Sequence, residues 1–189
     1  MLTLILETSS EKGIALLSQN GTPIRHLPLP SGPSLSTQLA VHVQTLLSGQ
    51  IPELIAVGTG PGSYTGIRVG VSLAKALSYG WQIPLIGFCS LTAFAQTPIL
   101  VDARSNGFYA LFDDTPQLIS AHHPTLSTLS LVYSPHPELI QKRLSHLLCR
   151  EVHPSPPHLA AHIQEQFCKH GVQLFEIPYL LLEKNSKNS

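Results

Sequence analysis

The sequence predicts an α/β protein whose sheet is mixed in strand direction. Short apolar runs alternate with stretches that show helical spacing of apolar residues. The opening strands are separated by tight-turn signals such as Asn20-Gly21, as in antiparallel hairpins, whereas the later strands are separated by helices. With 189 residues, 43% of them hydrophobic and 12% charged, the chain can form one ordinary domain or two small, closely packed halves.

The first half is predicted in the order βββαβα, followed by one more strand. Its strands are predicted over residues 2–6, 13–17, 22–29, 53–57 and 84–88. The first strand is apolar at nearly every position, which is typical of a central strand covered on both faces. The first helix is predicted to begin at a cap formed by Ser34 or Ser36 and to end before Gly49. The second helix is predicted from Ile67 to Tyr79.

The second half repeats part of the first half. Leu100-Val101-Asp102 and the later Ala110-Leu111-Phe112 match Ile5-Leu6-Glu7 and Ala15-Leu16-Leu17 in the pattern strand, acid, turn, strand. The pattern fits an internal duplication, and it fits two independent hairpins equally well. Prolines divide the remainder into short pieces, with helices predicted near 138–148 and 158–169. The polar residues 183–189 are predicted to form a mobile tail.

Charge and cysteine usage exclude some classes of function. The chain has 11 Lys plus Arg and 11 Asp plus Glu, and the basic residues are scattered, so it is not expected to bind RNA on its own. Three cysteines without a CxxC spacing fit a reducing compartment, which predicts a cytoplasmic protein. No apolar run approaches the ~18 residues of a membrane span, and the N-terminus opens directly into a strand, so neither a membrane segment nor a leader is expected.

The most distinctive segment is the glycine-rich stretch from Gly58 to Gly70, between a strand and a helix. Backbone N–H groups at a helix start attract anions, which makes this loop a candidate anion site. The candidate residues are Gly60, Gly62, Ser63, Thr65 and Arg68. The spacing matches neither the P-loop nor the dinucleotide fingerprint, and a tight strand-to-helix turn explains the same residues. Both interpretations stay open at this point.

The helix that follows has two faces that are predicted to be buried. Gly66 and Gly70 continue into Leu73 and Leu77 on one face, and a second apolar face lies beside it. A sheet covers only one face of a helix. The small-residue face is therefore expected to pack against the preceding helix or against another protein.

Glu7 and Asp102 are the acidic residues best placed for catalysis, because both end strands that face the expected central cleft. Such a pair could position magnesium and a nucleophile. The favoured interpretation is a turn-capping carboxylate and an ion pair, with Arg104 nearby. Neither HExxH nor GxSxG occurs, so no metal site and no hydrolase elbow are predicted. The histidines considered, none of which shows a ligand spacing, are His122, His123, His136, His146 and His153.

Four segments give the chain a resemblance to a known family. They are Leu6-Glu7-Thr8-Ser9, the run from Gly60 to Gly70 (GPGSYTGIRVG), Ala74-Lys75-Ala76-Leu77 and Asp102-Ala103-Arg104. They resemble the TsaB (YeaZ) family of bacterial tRNA threonylcarbamoyladenosine biosynthesis subunits over about residues 1–112. Pro178-Tyr179-Leu180 resembles the closing motif of that family.

The resemblance implies an actin-like ATPase fold of the ASKHA, ribonuclease H-like class, with two related halves. These would be an N-terminal subdomain, residues 1–97, and a shortened, degenerate C-terminal subdomain, residues 98–189, that includes the tail.

The resemblance also implies a role as a non-catalytic partner of TsaD, the transferase that forms N6-threonylcarbamoyladenosine at position 37 of tRNAs. TsaE would be a further partner, tRNA would be met only through the complex, and an isolated chain would pair with itself. No cofactor is expected, with ATP or ADP bound only at the level of the complex. Partner contacts are expected on helices 34–48 and 64–80, through Leu39, Val43, Leu46, Gly66, Gly70, Leu73 and Leu77.

The related TsaD proteins carry two metal-binding histidines after the strand that aligns with Pro84-Leu85-Ile86-Gly87. Ser90 and Phe94 stand at those positions here, and a phenyl ring cannot ligate a metal ion, so no independent enzymatic activity is expected. Other departures weaken residual nucleotide binding: Glu7 replaces Asp, Ser36-Thr37-Gln38 lacks a His, Gly107 replaces Glu, and Leu181 replaces Arg. Two alternatives remain, a nucleotide- or sugar-phosphate-binding enzyme of this fold and a stand-alone homodimeric module.

Overall fold

A computed structural model describes residues 1–113 and 115–171. The first half contains β1 (Leu2–Glu7), β2 (Ile14–Gln19), β3 (Thr22–Pro28), α1 (Pro33–Leu47), β4 (Leu54–Gly58), α2 (Tyr64–Trp81) and β5 (Leu85–Phe88). The second half contains β6 (Ile99–Asp102), β7 (Phe108–Leu111), β8 (Pro116–Ile119), α3 (Pro124–Thr128), β9 (Leu131–Ser134), α4 (Pro137–Arg143), β10 (Leu148–Glu151) and α5 (Pro156–His170). Short 3-10 turns cover Ser90–Ala93 and Arg104–Asn106.

The two halves have the same sheet topology. The strand order is β3-β2-β1-β4-β5 in the first sheet and β8-β7-β6-β9-β10 in the second. In each sheet, the first three strands are antiparallel and the last two run parallel to the central strand. The predicted α/β class with mixed sheets and two related halves is confirmed, and the shared strand order favours duplication over two independent hairpins. The second half is shortened, because α3 and α4 have 5 and 7 residues where α1 and α2 have 15 and 18.

Helices cover both faces of the first sheet. Helices α1 and α2 cover one face, where Leu6, Val57 and Ile67 belong to one buried apolar cluster. Helix α5 crosses from the second half and covers the other face with Leu159 and Ile163. Strand β1 is therefore buried on both sides, as its apolar sequence predicts. Because α5 packs on the first sheet, the division at residues 97 and 98 stays a prediction.

The helix ends differ from the sequence predictions for local reasons. Helix α1 begins at Pro33 with Gly32 as its N-cap, so the predicted serine cap is wrong, and the fixed φ of proline suits the first helical position. Helix α2 begins three residues earlier than predicted, at Tyr64, because Ser63 caps it.

The helix predicted over 138–148 is also wrong in extent. Helix α4 ends at Arg143, and Leu148 begins strand β10. Ile140, Leu144 and Leu147 have helical spacing and are all buried, yet Leu144 already has non-helical dihedral angles. The apolar spacing alone could not separate a helix from a helix followed by a turn.

The helix predicted over 158–169 is confirmed within α5. The motif at 178–180, Leu181 and the polar residues 183–189 lie outside the described residues. Within residues 1–113 and 115–171, no helix combines the length and the apolar character that a membrane crossing requires.

Candidate functional site

A cleft of about 1360 Å³ lies between the two halves. Its walls come from the turns that follow β1 and β6, from the start of α2 and from the end of β9. Residues that line it include Thr8, Ser9, Ser63, Tyr64, Asp102, Arg104 and His136. Across the two halves, Lys12 Nζ pairs with Glu151 Oε1 at 2.6 Å. Ligands of open α/β sheets bind outside the carboxyl ends of the strands, so this cleft is the expected place for a site.

The glycine-rich loop uses many of its polar groups within the chain. Ser63 Oγ accepts a hydrogen bond from Gly66 N at 3.2 Å and caps α2, and Ser63 N donates to the Ser9 carbonyl at 2.6 Å. Gly60 N donates to Ser90 Oγ at 3.0 Å. Gly62 has a φ of 153°, and a Cβ there would overlap the Ser9 carbonyl. The tight-turn interpretation therefore accounts for Gly60, Gly62 and Ser63.

The other two candidate anion-binding residues, Thr65 and Arg68, do not form part of this turn. Thr65 is exposed in the first turn of α2. The Arg68 guanidinium lies 5.3 Å from the centroid of the Tyr64 ring and donates to Tyr64 Oη at 3.3 Å. Arg68 is thus engaged with its own helix, and the anion site stays a prediction.

The small-residue face of α2 packs against the same chain. A Cβ at Gly66 would overlap the Thr8 carbonyl, and a Cβ at Gly70 would overlap the Thr8 hydroxyl. Both glycines are buried. Gly66 and Gly70 therefore let α2 approach the turn after β1, and their assignment to partner contacts stays a prediction.

The leucines and valine assigned to partner contacts also belong to the core. Leu39, Val43 and Leu46 are each 2% exposed and pack in the cluster beneath α1 and α2. Leu73 and Leu77 are partly buried against the same cluster. Partner contacts through these five residues stay a prediction, because periodicity identifies an apolar face without showing which surface covers it.

The outward faces of the two helices carry different apolar residues. Val41 is 59% exposed on α1, and Tyr64 and Tyr79 are 52% and 81% exposed on α2. These three residues were not predicted as partner contacts, because they lie off the apolar stripes of the two helices. Their signal was the presence of large apolar or aromatic side chains at positions that helical periodicity places on the outside.

Glu7 lies beneath the cleft and does not line it, which corrects its predicted placement. The residue is 1% exposed, and its Oε1 accepts a hydrogen bond from Ser9 N at 2.6 Å. The absent side chain of Gly58 leaves room for Oε2, which a Cβ would overlap. Burial raises the pKa of Glu7, and its hydrogen bonds with Ser9 oppose that shift. The arrangement is the turn-capping carboxylate that the sequence analysis favoured.

Asp102 lines the cleft and forms the expected ion pair, but with a different arginine. Its Oδ1 accepts from Arg143 Nη1, not from the neighbouring Arg104. The same Nη1 donates to the carbonyls of Arg104 at 2.6 Å and Gly107 at 3.0 Å. The Arg143 guanidinium lies 4.5 Å from the centroid of the Phe108 ring. Arg143 thus ties α4 to the turn after β6, a contact across 41 residues that no local pattern indicates.

The positions aligned with the TsaD histidines are built into the interior. Ser90 is 1% exposed and its hydroxyl accepts from Gly60 N, while Phe94 is 4% exposed in an apolar cluster between the halves. Neither side chain suits a metal ion. In the part of the chain that the structure describes, no group of three or more His, Cys, Asp or Glu residues is arranged to hold one.

Comparisons with known proteins agree with this fold. The family model for TsaD, tRNA N6-adenosine threonylcarbamoyltransferase, matches residues 45–123. The tRNA threonylcarbamoyladenosine biosynthesis protein TsaB of Escherichia coli (strain K12) is 34% identical over 102 residues, which cover 51% of this chain and 43% of that protein. TsaB of Bacillus subtilis (strain 168) is 36% identical over 100 residues, or 50% of this chain and 44% of that protein. The matches thus span less than half the length of these curated relatives.

Solved structures extend the likeness in fold. YeaZ from Pseudomonas aeruginosa superposes with a TM-score of 0.66 at 16% identity, covering 93% of this chain and 99% of that one. A second structure, described as an uncharacterized protein with similarity to peptidase YEAZ from Pseudomonas aeruginosa, has a TM-score of 0.68 at 17% identity and covers 89% and 93%. The chain is therefore similar to the TsaB (YeaZ) proteins, in sequence over about half of its length and in fold over most of it.

Proposed function

We propose that this chain is a non-catalytic subunit that a TsaD-type transferase requires to form N6-threonylcarbamoyladenosine at position 37 of tRNAs. The observation that carries the proposal is the sequence similarity to two proteins named for threonylcarbamoyladenosine biosynthesis, over half of this chain. The cytoplasm is the compartment proposed for this role, in line with three cysteines that form no disulfide.

The chemistry of the cleft supports a subunit without its own reaction. A catalytic group has to reach the reacting atoms. Here the Glu7 carboxyl is buried, the Asp102 carboxylate is paired with Arg143, and the Ser90 hydroxyl is bonded to Gly60. Burial also raises the pKa of the neighbouring Cys89 thiol, which disfavours the nucleophilic thiolate. The peptidase activity that one structural neighbour's description mentions is not proposed for this chain.

The partner surface is proposed to be the outward faces of α1 and α2. These faces present Val41 on α1 and Tyr79 on α2, and α2 also carries the exposed small residue Ala76, over which another helix can approach closely. A TsaD-type protein is the proposed occupant, and a second copy of this chain occupies the same surface in isolation. TsaE and tRNA would join through that complex.

The surface is tested by adding bulk and charge where the fold leaves room. Ala76→Arg is expected to abolish co-purification with a TsaD-type protein, because an arginine would keep the helices apart. Gln166→Arg on the exposed side of α5 is the matched control and should leave binding unchanged. Equal binding by both variants would contradict this placement.

The pathway role is tested by measuring the modified nucleoside. Bacterial cells depleted of their own TsaB-type protein are expected to lose N6-threonylcarbamoyladenosine, as read by mass spectrometry of digested tRNA, and to regain it when this chain is expressed. Ala76→Arg should not restore it, whereas Gln166→Arg should. The proposed role is wrong if the tRNA stays unmodified when the wild-type chain is expressed, although this chain binds the TsaD-type protein of those cells.

No nucleotide is proposed for the isolated chain. The loop donors from Gly60 and Ser63 are already bonded within the protein, so phosphate would have to displace native contacts. Calorimetry of the isolated chain with ATP and magnesium is expected to show no binding at micromolar concentration. Micromolar affinity with turnover would instead favour a nucleotide-handling enzyme of this fold.

A further inference from the structure

The layer formed by α1 and α2 contains no acidic residue. Between Lys12 and Asp102 the sequence has one acid, Glu53, which lies in the loop before β4 and outside both helices. Helix α2 does contain two cations, Arg68 and Lys75, and both are exposed. The outward surface of this layer therefore carries positive charge and no negative charge, although the whole chain has equal numbers of basic and acidic residues.

The two cations lie on the same side of α2. They are seven residues apart, which is close to two turns of a helix, and the exposed Ser72 and Tyr79 continue that side. Within residues 1–113 and 115–171, neither Arg68 nor Lys75 forms a salt bridge with a carboxylate. Any acid that neutralises them therefore has to come from another molecule.

Apolar side chains are exposed on the same layer. Val41 on α1 is 59% exposed, and Tyr79 on α2 is 81% exposed. Large exposed apolar groups beside polar and charged ones are typical of a surface that binds protein. A nucleic acid would need more cations than these two, because its affinity comes from many phosphate contacts.

We propose that this surface fits a partner whose helices carry acidic side chains opposite Arg68 and Lys75. The inference rests on the proposed function, because this is the surface proposed to bind a TsaD-type protein. A second copy of this chain would bring the same two cations and no acid. In a symmetric pair the cations stay without counterions, so the charges favour the acidic partner over self-pairing.

The two assemblies are expected to respond to salt in opposite directions. Salt screens the attraction in the complex with an acidic partner, and it screens the repulsion between two copies of this chain. Raising NaCl from about 50 mM to about 500 mM should weaken binding to the TsaD-type protein of the same organism about tenfold, and self-association should become stronger. Calorimetry measures the first and analytical ultracentrifugation the second. A complex that tightens with salt would contradict the proposal.

Reversing one charge tests the contribution of α2 directly. Lys75→Glu is expected to weaken binding to the TsaD-type protein about tenfold or more, because like charges would then face each other. Lys142→Glu makes the same change at an exposed position of α4 and should bind as the wild type does. Circular dichroism checks that both variants are folded. Equal affinity of the two variants would overturn the proposal.

A pair of copies with opposite charges tests the inference without any other protein. The double variant Arg68→Glu/Lys75→Glu makes the surface acidic, so at low salt it should pair with the wild-type chain about tenfold more tightly than either chain pairs with itself. If the wild-type chain does not bind the TsaD-type protein but the mixed pair is the tighter one, the proposed function is wrong and the acidic preference stands. Mixed pairing no tighter than self-pairing would overturn the inference.

Discussion

The Thr8 side chain occupies the space into which a side chain at Gly70 would project. Thr8 lies just after the central strand and is 1% exposed, and Gly70 lies in the second turn of α2. A methyl group at residue 70 would have to displace a buried side chain of the neighbouring turn. Gly70→Ala is therefore expected to lower the free energy of unfolding by about 1–3 kcal/mol, the usual cost of overpacking a core.

Gly80 provides the matched control for Gly70. It lies in the same helix, and a Cβ there would meet no atom within 4 Å. Gly80→Ala should raise the free energy of unfolding by about 0.5–1 kcal/mol, because alanine loses less backbone entropy in a helix. Urea unfolding followed by circular dichroism measures both variants. Equal effects of the same sign would show that α2 does not approach the turn as closely as described.

The buried carboxyl of Glu7 is expected to make the free energy of unfolding depend on pH. Burial raises the pKa of the folded carboxyl above its ordinary value, so the native state favours the protonated form. The resulting stabilisation is complete below the unfolded pKa and is lost as the pH rises through the folded pKa. Glu7→Gln has no proton to lose. The stability of the variant relative to the wild type is therefore expected to improve from pH 5 to pH 8.

Urea unfolding at several pH values tests this expectation. Glu11→Gln, which changes an exposed carboxylate in the same turn, is the control and should follow the wild-type pH profile. If Glu7→Gln also runs parallel to the wild type across the whole range, the buried carboxyl titrates as an ordinary one.

The sequence predicted the elements better than their surroundings. The apolar strand at 2–6 and the glycine that follows α1 are local signals, and local patterns determine helices and strands. The duplication became clear only when both sheets showed one strand order, which depends on pairing across the chain. Periodicity placed Leu39 on an apolar face but could not show that the covering surface is the chain's own sheet.

The site was harder to predict, because its contacts are distant in sequence. The Glu7 carboxylate caps a turn by accepting a hydrogen bond from its near neighbour Ser9, so this local role could be predicted from the sequence. The arginine that pairs with Asp102 comes from α4, and Arg104 was the better candidate by proximity in sequence alone. Long-range polar contacts of this kind depend on how the halves of the chain fold back on each other.

Arg143 is expected to hold the turn after β6 in place. Its guanidinium donates hydrogen bonds to the Asp102 carboxylate and to the carbonyls of Arg104 and Gly107. It also lies over the Phe108 ring. Arg143→Met keeps an apolar stem but leaves these acceptors without their donor, so the free energy of unfolding should fall by about 2 kcal/mol. Lys142→Met at the exposed neighbouring position should change it by less than about 0.5 kcal/mol. A loss confined to Lys142→Met would show that the network is not structural.

The three cysteines are expected to differ widely in their reactivity towards a thiol reagent, because only the thiolate attacks it. Burial, assisted by Glu138, raises the pKa of Cys149 to about 11, and burial also raises the pKa of Cys89. Cys168 is exposed near the end of α5. Labelling with iodoacetamide at pH 8, followed by mass spectrometry, should therefore modify one site quickly, and Cys168→Ser should remove that fast phase. In urea all three sites should react at similar rates, because unfolding exposes the two slow thiols. Rapid labelling of Cys149 in the folded chain would mean that β10 does not shield its side chain.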